Sequence, residues 1–405
     1  MSYSCTKIKT VVYFVIVIFT LSILLGSINP IYAKSEINLD SSIYLLGEPK
    51  SGVILEASNI HEEVYPASIT KIMTLLLTLE ALEKDQISLN DEVVVPKESE
   101  GIPGTTVFLS QGDKINVEDL ITSLAVGSAN DASVALAKHV SGTKENFVED
   151  MNDRAKELGM KNTNFENPHG LHHDEHVTTA HDIFVMSKEL DNYSQIYDWL
   201  SIWLIKDFLK GDKVSKDEED GVYLSNTNRL INDYPGCDGY KTGFTEQAGH
   251  SISATAEQDG DRFIAIVMGE ETSEDRFENA MKLLDYSFAN YRTEKIFNKD
   301  DILAQTTIYK GEKDRLPLKA KQDMKLVLDE GEDEIELQEE YNIPEGVMAP
   351  IEKGEKVGNY KVLADDKQYE IDLVSAETIE EANFIDYMSK MINYWVKFGD
   401  NSSDD

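Results

Sequence analysis

The chain has 405 residues, enough for two domains, and its 41% hydrophobic content supports a sizeable buried core. Lys and Arg number 38 against 75 Asp and Glu, a formal charge of −37. That balance excludes nucleic-acid binding and a simple cationic hold on anionic lipid, and it fits a solvating surface suited to salty surroundings.

Lys7 and Lys9 precede an apolar run from Val11 to Ile28, and Ala33 offers small-residue cleavage. This pattern predicts a secretory signal peptide over residues 1–33, with an uncleaved anchor as the alternative. Cys5 precedes the apolar run, so the mature chain keeps Cys237 alone and has no disulfide framework.

Strands are predicted at Ser42–Leu46 and Val53–Glu56, joined through Gly52. Pro66 opens a helix whose apolar positions Ile69, Ile72, Leu76, Leu79 and Leu82 keep helical spacing. A second helix runs from Val117 to Val126 and stops at Gly127. A third starts near Asp131 and stops at Gly142. Ser251–Ala256 and Arg262–Met268 flank a hairpin turn at Asp259-Gly260. Strands at both ends with helices between predict an α+β domain, an antiparallel sheet whose first and last strands meet under helices.

From Asn298 the texture changes to short alternating stretches, at Ile302–Tyr309, Leu316–Ala320, Met324–Leu328, Glu334–Leu337 and Tyr369–Val374. These predict a small all-β domain. The charge runs Lys213–Asp220 and Asp329–Glu340 read as solvated faces and loops. The tail Glu377–Phe398 is helical by pattern, with Ile379, Ala382, Ile385, Met388, Ile392 and Trp395 in one stripe. It packs on protein or lies in a membrane interface. Tyr394, Trp395 and Phe398 favour the interface, and Glu380, Glu381 and Asp386 oppose it.

Ser68-Ile69-Thr70-Lys71 sets a hydroxyl and an amine one helical turn apart. A serine needs a base to become a nucleophile, and a lysine with a depressed pKa can serve. Alone the pattern is weak, because Ser4-Cys5-Thr6-Lys7 and Ser141-Gly142-Thr143-Lys144 repeat it. Ser128-Ala129-Asn130 lies at the break between two helices, where the serine can relay a proton and the amide can hold a peptide group; a plain helix cap is the alternative. Lys241-Thr242-Gly243 falls on a predicted edge strand. Lys241 there can attract a carboxylate and keep Lys71 neutral, Thr242 can hydrogen-bond that carboxylate, and Gly243 leaves room for substrate backbone. An ordinary turn is the alternative.

In this order the three elements match penicillin-binding proteins and class A β-lactamases. With Pro66-Ala67 before Ser68, Asn167-Pro168-His169-Gly170-Leu171 and Asp238-Gly239-Tyr240 before Lys241, residues 39–374 resemble the D-alanyl-D-alanine carboxypeptidases, the low-molecular-mass penicillin-binding proteins. The resemblance implies the penicillin-binding-protein/β-lactamase-like transpeptidase fold and a division into signal peptide 1–33, catalytic domain 34–297, β-sandwich 298–374, and amphipathic helix with acidic tail 375–405. It implies Ser68, Lys71, Ser128 and Asn130 as catalytic residues. Lys241, Thr242, Gly243 and Phe244 would bind substrate, with the Ser68 and Phe244 N–H groups as oxyanion hole. Arg276 matches a carboxylate-binding arginine. A second arginine of some relatives has no match in register, since Asn226-Thr227-Asn228-Arg229 occupies its neighbourhood.

The implied partners are peptidoglycan stem peptides and, as covalent inhibitors, β-lactams, on the outer side of the bacterial membrane and without a cofactor. The histidines at 169, 172, 173, 176 and 181 include a zinc-like His172-x-x-x-His176 spacing. Pro168 and Gly170 make that backbone irregular, and no metal is expected. A class A β-lactamase would need an acid motif that Glu166-Asn167-Pro168 does not supply. A wall-binding protein without activity would not need all six polar residues. An endopeptidase acting on cross-links remains compatible with the sequence.

Overall fold

The computed structural model describes residues 37–210, 221–331, 337–364 and 367–400. The signal peptide over 1–33, the charge run from Lys213, the first residues of the expected strand at Glu334 and the acidic end 401–405 lie outside these residues.

Ile43–Gly47 (β1) and Ile54–Ser58 (β2) form the expected hairpin. Cys237–Thr245 (β3), Gly249–Gln258 (β4) and Asp261–Glu270 (β5) complete an antiparallel sheet in the order β2-β1-β5-β4-β3. First and last strands meet as expected, with Leu45 opposite Ile266. The β4–β5 turn works because Asp259 and Gly260 both adopt positive φ, 52° and 92°, matching the twist of a two-residue hairpin.

β5 is buried on both faces, and its side chains alternate between two cores. Ile264, Ile266 and Met268 face Ala180–Leu190 (α5) and belong to the core shared with Lys71–Glu83 (α1), Val117–Ala125 (α2) and Asn130–Ser141 (α3). Phe263, Ala265 and Val267 face Phe277, Ala280, Leu283 and Leu284 of Ser273–Asn290 (α6). Lys144–Glu157 (α4) packs outside α3. α1 is apolar nearly all round because it runs through the first core, so Ile72, Met73, Leu75, Leu76 and Leu79 are all buried.

Strand structure begins before residue 298. Tyr291–Phe297 (β6), placed in the first domain by sequence, pairs with Met324–Asp329 (β9) of the β region. The other strands there are Ile302–Tyr309 (β7), Arg315–Ala320 (β8), Leu337–Asn342 (β10), Gly346–Met348 (β11), Lys356–Ala364 (β12) and Lys367–Ser375 (β13), in the order β10-β12-β13-β8-β7-β11. Leu316, Leu318, Leu326, Leu328, Tyr360 and Leu373 fill the space between the two sheets. β11 and β12 have no counterpart in the sequence reading, because Gly358 stands in the inward-facing set of β12 while Val357 and Leu363 on its other face are also apolar, which masks the alternation.

The tail helix starts later than its apolar spacing implies, at Phe384–Asp400 (α7). Ile379 is buried and bridges to Ile351, and Glu381 bridges to Gly311, so 379–382 finish the β core instead of the helical stripe. Asn383 then caps α7. Its Oδ1 accepts from Ile385 N–H and Asp386 N–H, while Asp386 accepts from Asn383 N–H at 2.9 Å. The Tyr394, Trp395 and Phe398 side chains lie outside the described part of α7.

Candidate active site

The turn before α1, the α2–α3 corner and edge strand β3 bring the three sequence elements to one cleft. Pro66 and Ala67 are buried, and Ala67 has φ 46°, a left-handed backbone that sets half-exposed Ser68 at the head of the helix.

Lys71 Nζ is sealed from solvent and lies 3.0 Å from Ser68 Oγ, 2.8 Å from Asn130 Oδ1 and 2.7 Å from the His169 carbonyl. Burial first, then the charge of Lys241, lowers its pKa well below the usual amine range against an opposing pull from Asp131. A neutral amine has two N–H donors and one lone pair. The two fixed oxygens take the donors, and the lone pair is left for the Ser68 hydroxyl.

Ser128 occupies the corner with φ 58°, a strained backbone for a residue with a side chain. The cap position of α3 falls to Ala129, so the Ser-Ala-Asn element is not a side-chain helix cap. Asn130 Nδ2 donates to the Pro103 carbonyl at 2.8 Å, which fixes its Oδ1 towards Lys71. Asp131, which the sequence marks only as a helix start, is buried and accepts from the N–H groups of Val107, Leu109 and Ala132. It pins the 103–109 loop over Asn130. An acidic residue in a helix's first turn was its one sequence signal.

On β3, Lys241 is 1% exposed and its pKa falls to about 7, through burial and then the Arg276 charge. Gly243 differs from its expected role. A Cβ there would sit 2.8 Å from the Pro66 carbonyl and 3.2 Å from Ala67 Cβ, so the space is taken by the nucleophile turn and not by substrate backbone. Phe244 is 52% exposed and stacks on His250, with centroids 4.2 Å apart. Arg276 is buried and donates from Nη1 to the Gly243 carbonyl at 3.1 Å. Arg229 pairs with Glu274 and Asp233 and lies over the Phe277 ring. The sequence reading passed over Thr227, whose hydroxyl is 3.1 Å from Lys241 Nζ and 2.9 Å from Thr242 Oγ1.

A family model described as D-alanyl-D-alanine carboxypeptidase matches residues 31–272. The chain belongs to the D-alanyl-D-alanine carboxypeptidase family. It is a serine-type peptidase with the penicillin-binding-protein fold. A second model, the C-terminal domain of penicillin-binding protein 5, matches residues 291–381 and includes β6. The chain is 34% identical to D-alanyl-D-alanine carboxypeptidase DacF of Bacillus subtilis, over 90% of this chain and 92% of that one. Among solved structures it resembles penicillin-binding protein 5 of Haemophilus influenzae, with TM-score 0.67 and 30% identity over 86% of this chain and 100% of that one. It also resembles penicillin-binding protein D2 of Listeria monocytogenes in an ampicillin-bound form, with TM-score 0.54 and 29% identity over 63% of this chain and 100% of that one. These matches favour the carboxypeptidase reading over the β-lactamase and non-catalytic alternatives.

In this member of the family the histidine-rich loop is structural where it touches the site. Thr70 Oγ1 donates to the Ala67 carbonyl and accepts from His176 Nε2, both at 2.8 Å. His176 Nδ1 in turn accepts from Glu166 N–H. Burial lowers His176 to about 4 and His169 to about 3, so both rings are neutral at pH 7. The His172–His176 pair does not converge: His172 lies beside Asp174, and His176 is used by Thr70. Glu166, His173 and Glu175 do place ligand atoms within 4.8 Å of one another, on the outside of this loop. Cys237 is buried with its pKa raised to about 12, which suits a small strand residue rather than a reactive thiol.

Gly170 has φ 86°, and a Cβ there would lie 1.8 Å from the Ala67 carbonyl oxygen. Gly170→Ala is expected to cost about 2 kcal/mol or more and to displace the turn that carries Ser68. Thermal melting and kcat/KM should fall together. Unchanged values would show that the loop does not press on that turn.

Proposed function

We propose that this carboxypeptidase removes the terminal D-alanine of peptidoglycan stem peptides through an acyl-enzyme on Ser68. The observation that carries the reading is the sealed Lys71, its pKa depressed by burial and then by the Lys241 charge, with Nζ 3.0 Å from Ser68 Oγ and held by Asn130 Oδ1 and the His169 carbonyl.

In the forward step, Lys71 takes the Ser68 proton while Ser68 Oγ bonds to the penultimate D-Ala carbonyl carbon. The N–H groups of Ser68 and Phe244 hold the oxyanion. The peptide C–N bond then breaks as the proton passes, through Ser128, to the leaving D-alanine nitrogen. Water attacks the ester with Lys71 again as base, releasing the shortened peptide and restoring Ser68. Asn130 orients both Lys71 and the substrate amide. Lys241, Thr242 and, at longer range, Arg276 hold the D-alanine carboxylate. β-Lactams mimic the scissile peptide and acylate the same serine.

The domain plan follows the same reading: signal peptide 1–33, catalytic domain from 34, β-sandwich, then the tail helix, with the working chain outside the membrane. Among the described residues no helix is long and apolar enough to cross a membrane. α7 exposes Phe384, Ile385, Met388, Met391 and Ile392, which share one helical face and suit a membrane interface.

Incubation with diacetyl-Lys-D-Ala-D-Ala tests the activity. One equivalent of free D-alanine per peptide is expected. No release at any enzyme concentration would overturn the reading.

A further inference from the structure

We propose that Thr227 is a substrate-binding residue, the third member of the carboxylate clamp with Lys241 and Thr242. This rests on the carboxypeptidase reading above.

Lys241 Nζ is almost fully buried and, among the described residues, lies within hydrogen-bond distance of Thr227 Oγ1 at 3.1 Å and the Thr242 carbonyl at 3.3 Å. The latter belongs to its own strand neighbour, so among the described residues Thr227 supplies the side-chain hydrogen-bond partner. The same oxygen is 2.9 Å from Thr242 Oγ1. One hydroxyl therefore touches both signature side chains of β3.

Hydrogen accounting shows what this arrangement offers a ligand. Thr227 and Thr242 hold two hydroxyl hydrogens between them, and their mutual bond uses one. Thr242 Oγ1 donates to Thr227 Oγ1, so the Thr227 hydrogen is left over beside the Lys241 amine. A cation with an adjacent spare O–H donor, in a site largely closed to water, is a receptor for a carboxylate. Thr227 is only partly buried, so its hydroxyl can reach a ligand in the cleft. Arg229, the cation nearest in sequence, is spent on Glu274 and Asp233.

The fold builds this position deliberately at two ends. Thr227 N–H donates to the carbonyl of Val126, two residues before Ser128. Buried Asn226 donates from Nδ2 to the Leu200 and Ile202 carbonyls and accepts from Asn228 N–H. Buried Asn228 donates to the carbonyl of Gly239, two residues before Lys241. The two asparagines thus clamp Thr227 between the Ser128 corner and the Lys241 strand. Their bonds fix the backbone on both sides of Thr227, which is part of the preorganisation a binding group needs.

The test compares acylation by benzylpenicillin, a free carboxylate, with acylation by its methyl ester. The wild-type chain is expected to prefer the free acid. In Thr227→Val, nearly equal in shape, that preference should fall about tenfold or more, while Thr227→Ser should retain it. Thr227→Val should also shift the alkaline limb of the kcat/KM profile to lower pH, because Lys241 loses its side-chain partner. An equal loss on acid and ester, or no loss, would overturn the role of Thr227. Melting curves of both variants separate misfolding from loss of recognition, and Thr227→Ser carries the test if Thr227→Val is unfolded, since loss of preference with the hydroxyl kept would also sink the idea. D-alanine release by the wild-type chain is scored separately, so a failure of the carboxypeptidase reading is distinguishable from a failure of this one.

Discussion

Ser68→Ala is expected to lower D-alanine release by about 10⁴-fold or more and to abolish covalent labelling by penicillin. The nucleophile and its base act as a unit, and removing either leaves only binding and oxyanion contributions. The matched control is Ser141→Ala. Ser141 has the same Ser-x-x-Lys neighbourhood, but its hydroxyl donates to Asp150 and Thr143 caps the following helix by accepting from Asn146 N–H. That variant should behave as wild type. Residual labelling of Ser68→Ala, or loss of labelling in Ser141→Ala, would show that the nucleophile had been misassigned.

Lys71→Arg is expected to slow acylation by about 10²- to 10⁴-fold, the range for losing a positioned general base. A guanidinium stays charged and has no lone pair for the Ser68 proton. The wild-type pH profile carries the same argument. Lys71 works as the free amine, and its pKa is depressed, so kcat/KM should rise as pH passes that lowered value. Lys241 works as a cation with a pKa of about 7 in the free protein, so the rate should fall as pH rises through that region. A bound carboxylate favours the charged Lys241, which should move the alkaline limb of kcat to higher pH than that of kcat/KM. An alkaline limb that stays put on substrate saturation, or a Lys71→Arg variant with near-normal acylation, would contradict these roles.

Much of this architecture is legible in the chain because local chemistry and long-range pairing agree. Asp259-Gly260 specifies a hairpin by its backbone needs, and the two-faced apolar run of β5 specifies a central strand. The Ser68 segment was locally no better than the one at Ser141. Its distinction lies in what surrounds it: Ala67 in left-handed backbone, Gly170 packed on that turn, and Asn130 and His169 closing on Lys71. Thr227 was invisible because its position depends on asparagine bonds to carbonyls at 200, 202 and 239, which no short window contains. The tail misled for another reason. Ile379 fits a helical stripe by spacing, yet it is consumed by the β core, and the real start signal was the Asn383–Asp386 capping pair. Gly243 was read from its own strand, whereas its lack of a side chain answers to the Pro66–Ala67 turn across the cleft.

The central claim is that Ser68 carries the acyl group, and peptide mapping of the penicillin-labelled protein tests it most directly. Tryptic digestion should place one β-lactam mass on the Ser51–Lys71 peptide, with fragment ions locating it at Ser68. An adduct on Ser51, Ser58, Ser128 or Ser141, or an unmodified Ser51–Lys71 peptide in fully labelled protein, would contradict the account.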